Sequence, residues 1–163
     1  MLITESDQVD LKTARRYVKN YEVHAGYVDD EKEPGVKKPD TRCIWFSKER
    51  LQAMLGKLDK EGGDGVRFYL IAYDKKYDTT ATGKNRPVPP PPAYWGYNTL
   101  LMVSTKDSAA NNAVLHRDYF TDGPAAAQAK QRGFIVTFVP ENRGELCPPP
   151  ANCSDDGALL LKN

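Results

Sequence analysis

Apolar residues recur with helical spacing in one stretch of the chain and with alternating spacing in the stretch that follows. In the first, four large apolar side chains stand at positions i, i+3, i+4 and i+7, namely Leu51, Met54, Leu55 and Leu58. That spacing gathers them on one face of a helix. Ser47, just before this run, can accept a hydrogen bond from the free amides of a helix start. The pattern predicts a helix over 48–59.

The glycine-rich segment 62–65 should end this helix, because glycine reaches positive φ without steric penalty. The residues after this segment predict a strand, in which successive side chains point to opposite faces. One side of the predicted strand 66–73 carries Val66, Phe68, Leu70 and Ala72. We expect this side to meet the helix, since alternate side chains of a strand share a face.

Three further apolar runs predict strands at about 42–46, 98–105 and 134–139. A first amphipathic helix is predicted over 6–21, capped by Ser6 or Thr4 and packed on the sheet. The expected fold is α+β: one domain over 1–163, with a small mixed or antiparallel sheet of three to five strands packed by two helices.

The remaining segments are expected to be irregular. Charged and turn-forming residues predict an exposed loop at 27–40 and a second long loop at 74–97. A turn is expected at 108–112 and a short alanine-rich helix from Gly123 towards Arg132. The tail 140–163 shows no periodic pattern.

Charge and composition argue against two classes of protein, those that bind nucleic acids and those that span a membrane. Lys and Arg number 23 against 22 Asp and Glu, so the net charge of +1 gives no support to nucleic-acid binding. No apolar run approaches the roughly 20 residues that span a bilayer, which argues against a membrane protein. The first ten residues lack the pattern of a secretory signal, so a soluble, cytoplasmic location is expected.

The segment before the predicted strand 98–105 is the best candidate for contact with a protein partner. Prolines at 87 and 89–92 favour an extended polyproline II conformation, and aromatic residues follow directly. Such a segment can dock into an aromatic-lined groove of another protein. The candidate binding residues are Pro89, Pro90, Tyr94, Trp95 and Tyr97. The alternative is a rigid arm that lies over its own domain, with the aromatic rings packed beneath it.

A second cluster, His116 to Tyr119, offers catalytic side chains. His116 could act as a general base and Arg117 could hold an anion, with Tyr119 as a third candidate. Neighbouring side chains on a strand or helix point apart, however, and a histidine base needs a separately placed partner. A structural or surface cluster is the alternative.

The cysteines leave three alternatives open. Cys147 and Cys153 could be free thiols, could form a local disulfide that a reducing cytoplasm opposes, or could bind zinc if His116, His24 or Cys43 approached them. No standard metal-ligand spacing is present. No cofactor is expected.

Several short motifs resemble a group of small uncharacterised bacterial proteins. The matching residues are Trp45-Phe46-Ser47 before a helix, the strand entry 64–69, and Asn142-x-Gly144 followed by Cys147-Pro148-Pro149 and a further cysteine. The resemblance implies a bacterial, cytoplasmic α+β domain and carries no activity or catalytic residue.

Two functional hypotheses follow. Because the chain has a complete core but none of the common phosphate-binding, nucleophile or metalloprotease motifs, the first is a non-enzymatic binding or accessory domain that uses the Pro-aromatic loop. The alternative is a small enzyme acting on an anionic small molecule through His116 and Arg117.

Overall fold

The computed structural model describes residues 8–30, 33–77, 89–110, 113–120, 133–137, 145–148 and 158–161. In chain order the helices and strands are α1 (Leu11–Ala25), β1 (Tyr27–Asp29), β2 (Lys37–Pro39), β3 (Cys43–Trp45), α2 (Lys48–Glu61), β4 (Gly65–Ala72), β5 (Asn98–Ala110), β6 (Ala113–Asp118), β7 (Ile135–Thr137) and β8 (Glu145–Cys147). Two helices and several antiparallel sheets confirm the predicted α+β class. The chain divides into two compact units, Met1–Ile44 with Leu146–Asn163, and Trp45–Glu145.

The first helix lies further along the chain than the predicted 6–21. The Asp10 side chain caps α1 by accepting a hydrogen bond from the Thr13 amide at 3.0 Å. A carboxylate is as good an N-cap as a hydroxyl, and it also suits the positive end of the helix dipole. The predicted caps Ser6 and Thr4 lie outside the described residues. At the other end, α1 continues to Ala25, and Gly26 follows with φ of 73°.

The predicted loop 27–40 contains an antiparallel hairpin, β1 with β2. Opposite charges explain how so polar a segment becomes ordered. Asp29 pairs in register with Lys37 and forms an ion pair with it, and Lys38 forms a second ion pair with Asp30. Cross-strand pairs of opposite charge stabilise a sheet without a buried face. All six residues of the two strands remain at least partly exposed, as expected for this segment.

The strand predicted at 42–46 forms as β3, but it does not join the larger sheet. It pairs with β8, within the tail that was expected to be irregular. Next to it, the Arg42 amide donates to the Cys147 carbonyl at 2.7 Å, and Thr41 Oγ1 donates to the Pro148 carbonyl at 3.0 Å. Cys147 is in a disulfide, and Cys43 is a free, exposed thiol.

The larger sheet is built around β5 in the unit Trp45–Glu145. One edge of β5 pairs with β4 over Asn98 to Thr105. The opposite edge pairs first with β7 and then with β6. Strand β5 continues to Ala110, so residues 108–110 of the predicted turn 108–112 are strand, and 111–112 lie outside the described residues. All these pairings are antiparallel. The predicted strand 134–139 appears as β7, and its residues 138–139 lie outside the described part of the chain, as do 123–132.

Helix α2 begins where the sequence predicts and ends at Glu61, two residues beyond the predicted 59 and directly before the predicted glycine stop. Ser47 Oγ accepts from the Arg50 amide at 3.2 Å. At the other end Gly62 adopts a left-handed conformation with φ of 68°, and the Gly63 amide donates to the Leu58 carbonyl at 3.0 Å. A Cβ on Gly63 would lie 2.4 Å from Leu58 Cδ1, so this close approach requires glycine.

The buried core lies between α2 and the sheet. It consists of Met54, Leu58, Met102 and Phe134, with Phe46, Val66 and Leu100 packed against it. Val66 and Met102 have even numbers, so α2 meets the face that the alternation predicts. The agreement is partial, because Leu51 and Leu55 on α2 remain exposed, as do Phe68 and Leu70 on β4.

Leu58 and Leu55 offer a matched test of this core. Leu58 is 6% exposed and Leu55 is 55% exposed on the same helix. We expect Leu58→Ala to lower the free energy of unfolding by about 2–5 kcal/mol, because it removes buried methyl groups and leaves a cavity. Leu55→Ala should change it by less than about 1 kcal/mol. Urea denaturation of both variants measures the difference; equal losses would contradict this description of the core.

The disulfide at Cys147 gives a second stability test, with Cys43 as its control. We expect Cys147→Ser to lower the free energy of unfolding by about 2–4 kcal/mol, since a disulfide restricts the unfolded chain. Cys43→Ser removes a free thiol and should change stability little. Thermal melts with and without a reductant make the comparison. A wild-type melt that does not respond to reductant would count against a stabilising disulfide.

Candidate functional site

Three polar side chains from separate segments meet at one end of the larger sheet. Asp64 lies in the turn between α2 and β4, Asp107 lies on β5, and His116 lies on β6. The β5–β6 register sets Asp107 directly opposite His116. Thr105, two residues earlier on β5, has Gly65 on one side and Asp118 on the other. Residues two apart on a strand share a face, so Thr105, Asp107, His116 and Asp118 lie on the same face, and Asp64 reaches this face from the turn.

Short contacts tie the three side chains together. His116 Nδ1 lies 2.6 Å from Asp64 Oδ2 and 3.2 Å from Asp107 Oδ1. Thr105 Oγ1 donates a hydrogen bond to the other oxygen of Asp64 at 2.6 Å. Both carboxylate oxygens of Asp64 are therefore engaged, which fixes its orientation towards the imidazole. We call Asp64, Asp107 and His116 the His–Asp cluster.

The backbone of the α2–β4 turn places Asp64. The Asp64 amide donates to the Thr105 carbonyl at 3.0 Å, which anchors the turn on β5. Gly65 follows without a side chain, and a Cβ there would approach Thr105 Oγ1 to 3.1 Å. Such a contact is tight enough to disturb the hydroxyl, so Gly65 leaves Thr105 free to reach Asp64. The glycines that end α2 thus also shape the site.

The contacts shift the pKa values of all three groups. The nearby Asp107 carboxyl, followed by the donors His116 and Thr105, lowers the pKa of Asp64 well below its usual range. The same proximity to Asp64 raises the pKa of Asp107. The hydrogen bond to Asp64, with its negative charge, raises the pKa of His116. A hydrogen bond to the charged form of a group favours that form, so the Asp107 carboxyl, which donates to the Asp64 carboxylate, lowers the pKa of Asp64 and raises its own.

One nitrogen of the imidazole remains available. Nδ1 faces the two carboxylates, and Nε2 has no protein partner within the described part of the chain. The His116 side chain is 63% exposed. An imidazole held at Nδ1 by a carboxylate, with Nε2 open to solvent, can accept or donate a proton at Nε2.

A second network adjoins the His–Asp cluster on the same face. Arg67 forms an ion pair with Asp118 and donates to the His116 carbonyl, and the Tyr69 hydroxyl donates to the other oxygen of Asp118. Arg67 therefore already has a carboxylate partner. The hydrogen bond from Arg67 to the backbone carbonyl of His116 also helps to hold β6 in place at this residue.

The structure separates the three catalytic residues that the sequence suggested. His116 lies on the face just described. Arg117 lies on the opposite face, in register with Lys106. Tyr119 packs on the side of α2, where its hydroxyl donates to the Glu61 carbonyl at 3.1 Å. Burial and the charge of Glu61 raise the pKa of Tyr119. The sequence pattern missed both partners of His116, Asp64 and Asp107.

The Pro-aromatic segment folds back on itself. Trp95 Nε1 donates to the Pro90 carbonyl at 2.9 Å, and the Trp95 ring lies 5.4 Å from the ring of Tyr77. Pro90 and Tyr97 are buried, whereas Pro89, Tyr94 and Trp95 are half-buried. From Pro92 to Tyr94 the backbone forms a 3₁₀ turn. These contacts are those of the rigid-arm alternative, and the predicted role in partner binding stays a prediction.

The structure bears on only one of the two cysteines proposed as zinc ligands. Cys147 is in a disulfide, so its sulfur offers no thiolate to a metal, and Cys153 lies outside the described residues. The ligand atoms of the His–Asp cluster do lie within 4.8 Å of one another, close enough to contact one divalent cation. Exposed groups of this kind often cluster in proteins that bind no ion.

Comparison with known proteins adds no assignment. The chain matches no family model, and neither the curated proteins nor the solved structures contain a match. The resemblance to small bacterial proteins stays a prediction. Among the described helices, none combines the length and the apolar character that crossing a bilayer requires.

The His116–Asp64 contact predicts a measurable titration. We expect Asp64→Asn to lower the pKa of His116 towards the ordinary histidine value, because the charge that stabilises the imidazolium is removed. NMR titration of the imidazole protons measures it. Asp118→Asn is the control, since that carboxyl bonds Arg67 and Tyr69 instead of the imidazole.

The same contact predicts a pH window for stability. A raised histidine pKa contributes stability that is complete below the unfolded-state value of about 6.5 and is lost as pH rises through the folded-state value. A lowered aspartate pKa contributes above about 3.9 and is lost as pH falls. The difference in Tm between wild type and Asp64→Asn should therefore be largest between about pH 4 and 6.5. A constant difference across this range would contradict the ion pair.

Proposed function

We propose that this protein is a small enzyme that transfers protons through His116, with Asp64 as its positioning residue. One observation carries the proposal. Asp64 holds Nδ1 of the imidazole at 2.6 Å, while Nε2 lies open on an exposed face. The proposal keeps His116, which the sequence suggested, and names Asp64 as its partner in place of Arg117 and Tyr119.

The carboxylate gives the imidazole two properties that catalysis by proton transfer requires. A hydrogen bond from Nδ1–H to Asp64 selects the tautomer whose Nε2 has a free lone pair. When Nε2 accepts a proton from a substrate, the negative charge of Asp64 stabilises the imidazolium that forms. The raised pKa of His116 expresses the same effect, since it means that the imidazole binds a proton more tightly than free histidine does.

The charges near His116 bear on the substrate. Three carboxyl groups, from Asp64, Asp107 and Asp118, lie on this face, and the one guanidinium among the described residues there, that of Arg67, is paired with Asp118. Arg117, expected to hold an anion, lies on the opposite face. An anionic substrate would be repelled, so we propose a neutral or positively charged small molecule.

Binding of a protein partner through the Pro-aromatic segment is the competing hypothesis. Its candidate residues Pro90 and Tyr97 are buried, and the Trp95 indole is already bonded to Pro90. These contacts make the segment a less favourable docking site than its composition suggested. A bacterial origin and a cytoplasmic location remain part of the proposal; the disulfide at Cys147 is the feature that weighs against the cytoplasm.

Hydrolysis of p-nitrophenyl esters with neutral or amine-bearing acyl groups tests the proposal. We expect His116→Ala to lower kcat/KM by about 10²–10⁴-fold, the usual contribution of a general acid or base. Arg117→Ala, on the other face of the same strand, is the matched control and should retain wild-type activity.

The pH dependence of the hydrolysis rate distinguishes a catalytic role of His116 from a purely structural one. The rate should rise with pH through the His116 pKa measured by NMR, because the base form is the unprotonated one. In Asp64→Asn this inflection should shift to lower pH together with the NMR value. Wild-type turnover that survives His116→Ala would refute the proposal.

A further inference from the structure

We propose that the open edge of β4 is a dimer interface, where β4 of a second copy of this chain pairs antiparallel to it and extends the larger sheet. The proposal is independent of the chemistry at His116. It rests on the hydrogen-bonding edge of β4, on its exposed apolar side chains and on its sequence.

Within the described part of the chain, the backbone of β4 has one unpaired edge. Among the described strands β4 pairs only with β5. The amide of Tyr73, directly after β4, donates to the carbonyl of Tyr97, directly before β5. Residues two apart in an antiparallel strand direct their amides and carbonyls to the same side. The odd-numbered residues of β4 therefore bond to β5, and Val66, Phe68, Leu70 and Ala72 direct their backbone groups to the open edge.

The same even-numbered residues carry large exposed apolar side chains. Phe68 is 50% exposed and Leu70 is 80% exposed. They lie on the face that α2 covers, and two side chains of α2, Leu51 and Leu55, are also exposed. A strand added at this edge would satisfy the free backbone groups and cover part of this apolar surface in one step.

The strand lacks the features that natural edges use to prevent pairing. Lysine, proline and bulges are the usual devices, together with charges that point inward. From Val66 to Ala72 the only charged residue is Arg67, and its guanidinium is held by Asp118 on the other face. Apart from Arg67, the eight residues of this strand carry no charge.

A second copy fits this edge because the strand complements itself. In a two-fold antiparallel pairing the faces of both sheets coincide, so residues of the same parity stand opposite each other. With the axis at Tyr69, Phe68 of each copy stands opposite Leu70 of the other. The Phe68–Leu70 contact occurs once on each side of the axis, so it covers both of these exposed side chains in both copies.

Oligomeric state is the direct test. Sedimentation equilibrium at about 100 µM chain should give a dimer for wild type, and Leu70→Lys should weaken the dimer at least tenfold, equivalent to about 1.4 kcal/mol. The Leu70 amide points to the open edge, so this change leaves the β4–β5 ladder intact, which circular dichroism checks. Val23→Lys, at an 83% exposed position of α1, is the matched control and should remain dimeric.

Hydrogen exchange in the wild-type chain supplies a readout that needs no variant. The amides of Phe68 and Leu70 should be protected at high concentration and exchange faster on dilution, whereas those of Tyr69 and Ile71, bonded to β5, should not respond. A monomeric wild type, a dimer that Leu70→Lys leaves intact, or edge amides that are insensitive to dilution would each overturn the proposal. A different protein recovered on β4 of a monomeric chain would do the same.

Discussion

The pairing of β5 on both of its edges is the constraint on which the unit Trp45–Glu145 depends. Met102 and Ser104, at the centre of β5, are completely buried. Ser104 shows how a polar group is accommodated there, since its hydroxyl accepts from the Phe134 amide at 2.6 Å. A buried hydroxyl without such a partner would cost about 1–3 kcal/mol. The hydrogen bond therefore fixes Phe134, a core residue, to the strand that also carries the site.

The alternation of side chains along β5 joins packing to chemistry. Met102 and Leu100 point towards α2, and Thr105 and Asp107 point to the opposite face. Because one rigid strand holds both sets, the core positions the hydroxyl that orients Asp64. The same sheet holds the carboxyl groups of Asp64 and Asp107 close together, and both contact Nδ1 of His116. Such proximity is what shifts the two pKa values in opposite directions.

The parts of the fold that depend on local signals could be predicted from the sequence. Helix α2 follows from Ser47 and Gly62, whose capping roles involve only neighbouring residues. Helix α1 was placed too early because several residues before it can cap a helix, and Asp10 competes with them. The β1–β2 hairpin was missed because low hydrophobicity suggested a loop, whereas opposite charges such as those of Asp29 and Lys37 stabilise it across the strands.

The candidate site could be predicted only in part, because it is made by register. His116 stands out by residue type, but its partner Asp64 is 52 residues away. Only the β4–β5 and β5–β6 pairings bring them together, and the second of these includes residues 108–110, where a turn was predicted. The signals that could have found Asp64 were its place in the glycine turn before a strong strand and the alternation that continues through Asp107. Arg117 was chosen as a candidate because it follows His116 in the sequence. On a strand, however, successive side chains point to opposite faces, so the two groups are separated.

The period of two along β4 gives one strand two separate surfaces. Arg67 and Tyr69 point to the face of His116 and are held there by Asp118, while Phe68 and Leu70 point to the other face. Pairing at the open edge would order β4 further without covering the imidazole, because the added strand lies beside the sheet and not over it. The proposed dimer and the proposed proton transfer would therefore respond independently to substitutions on the two faces of the sheet, and a defect in one would not imply a defect in the other.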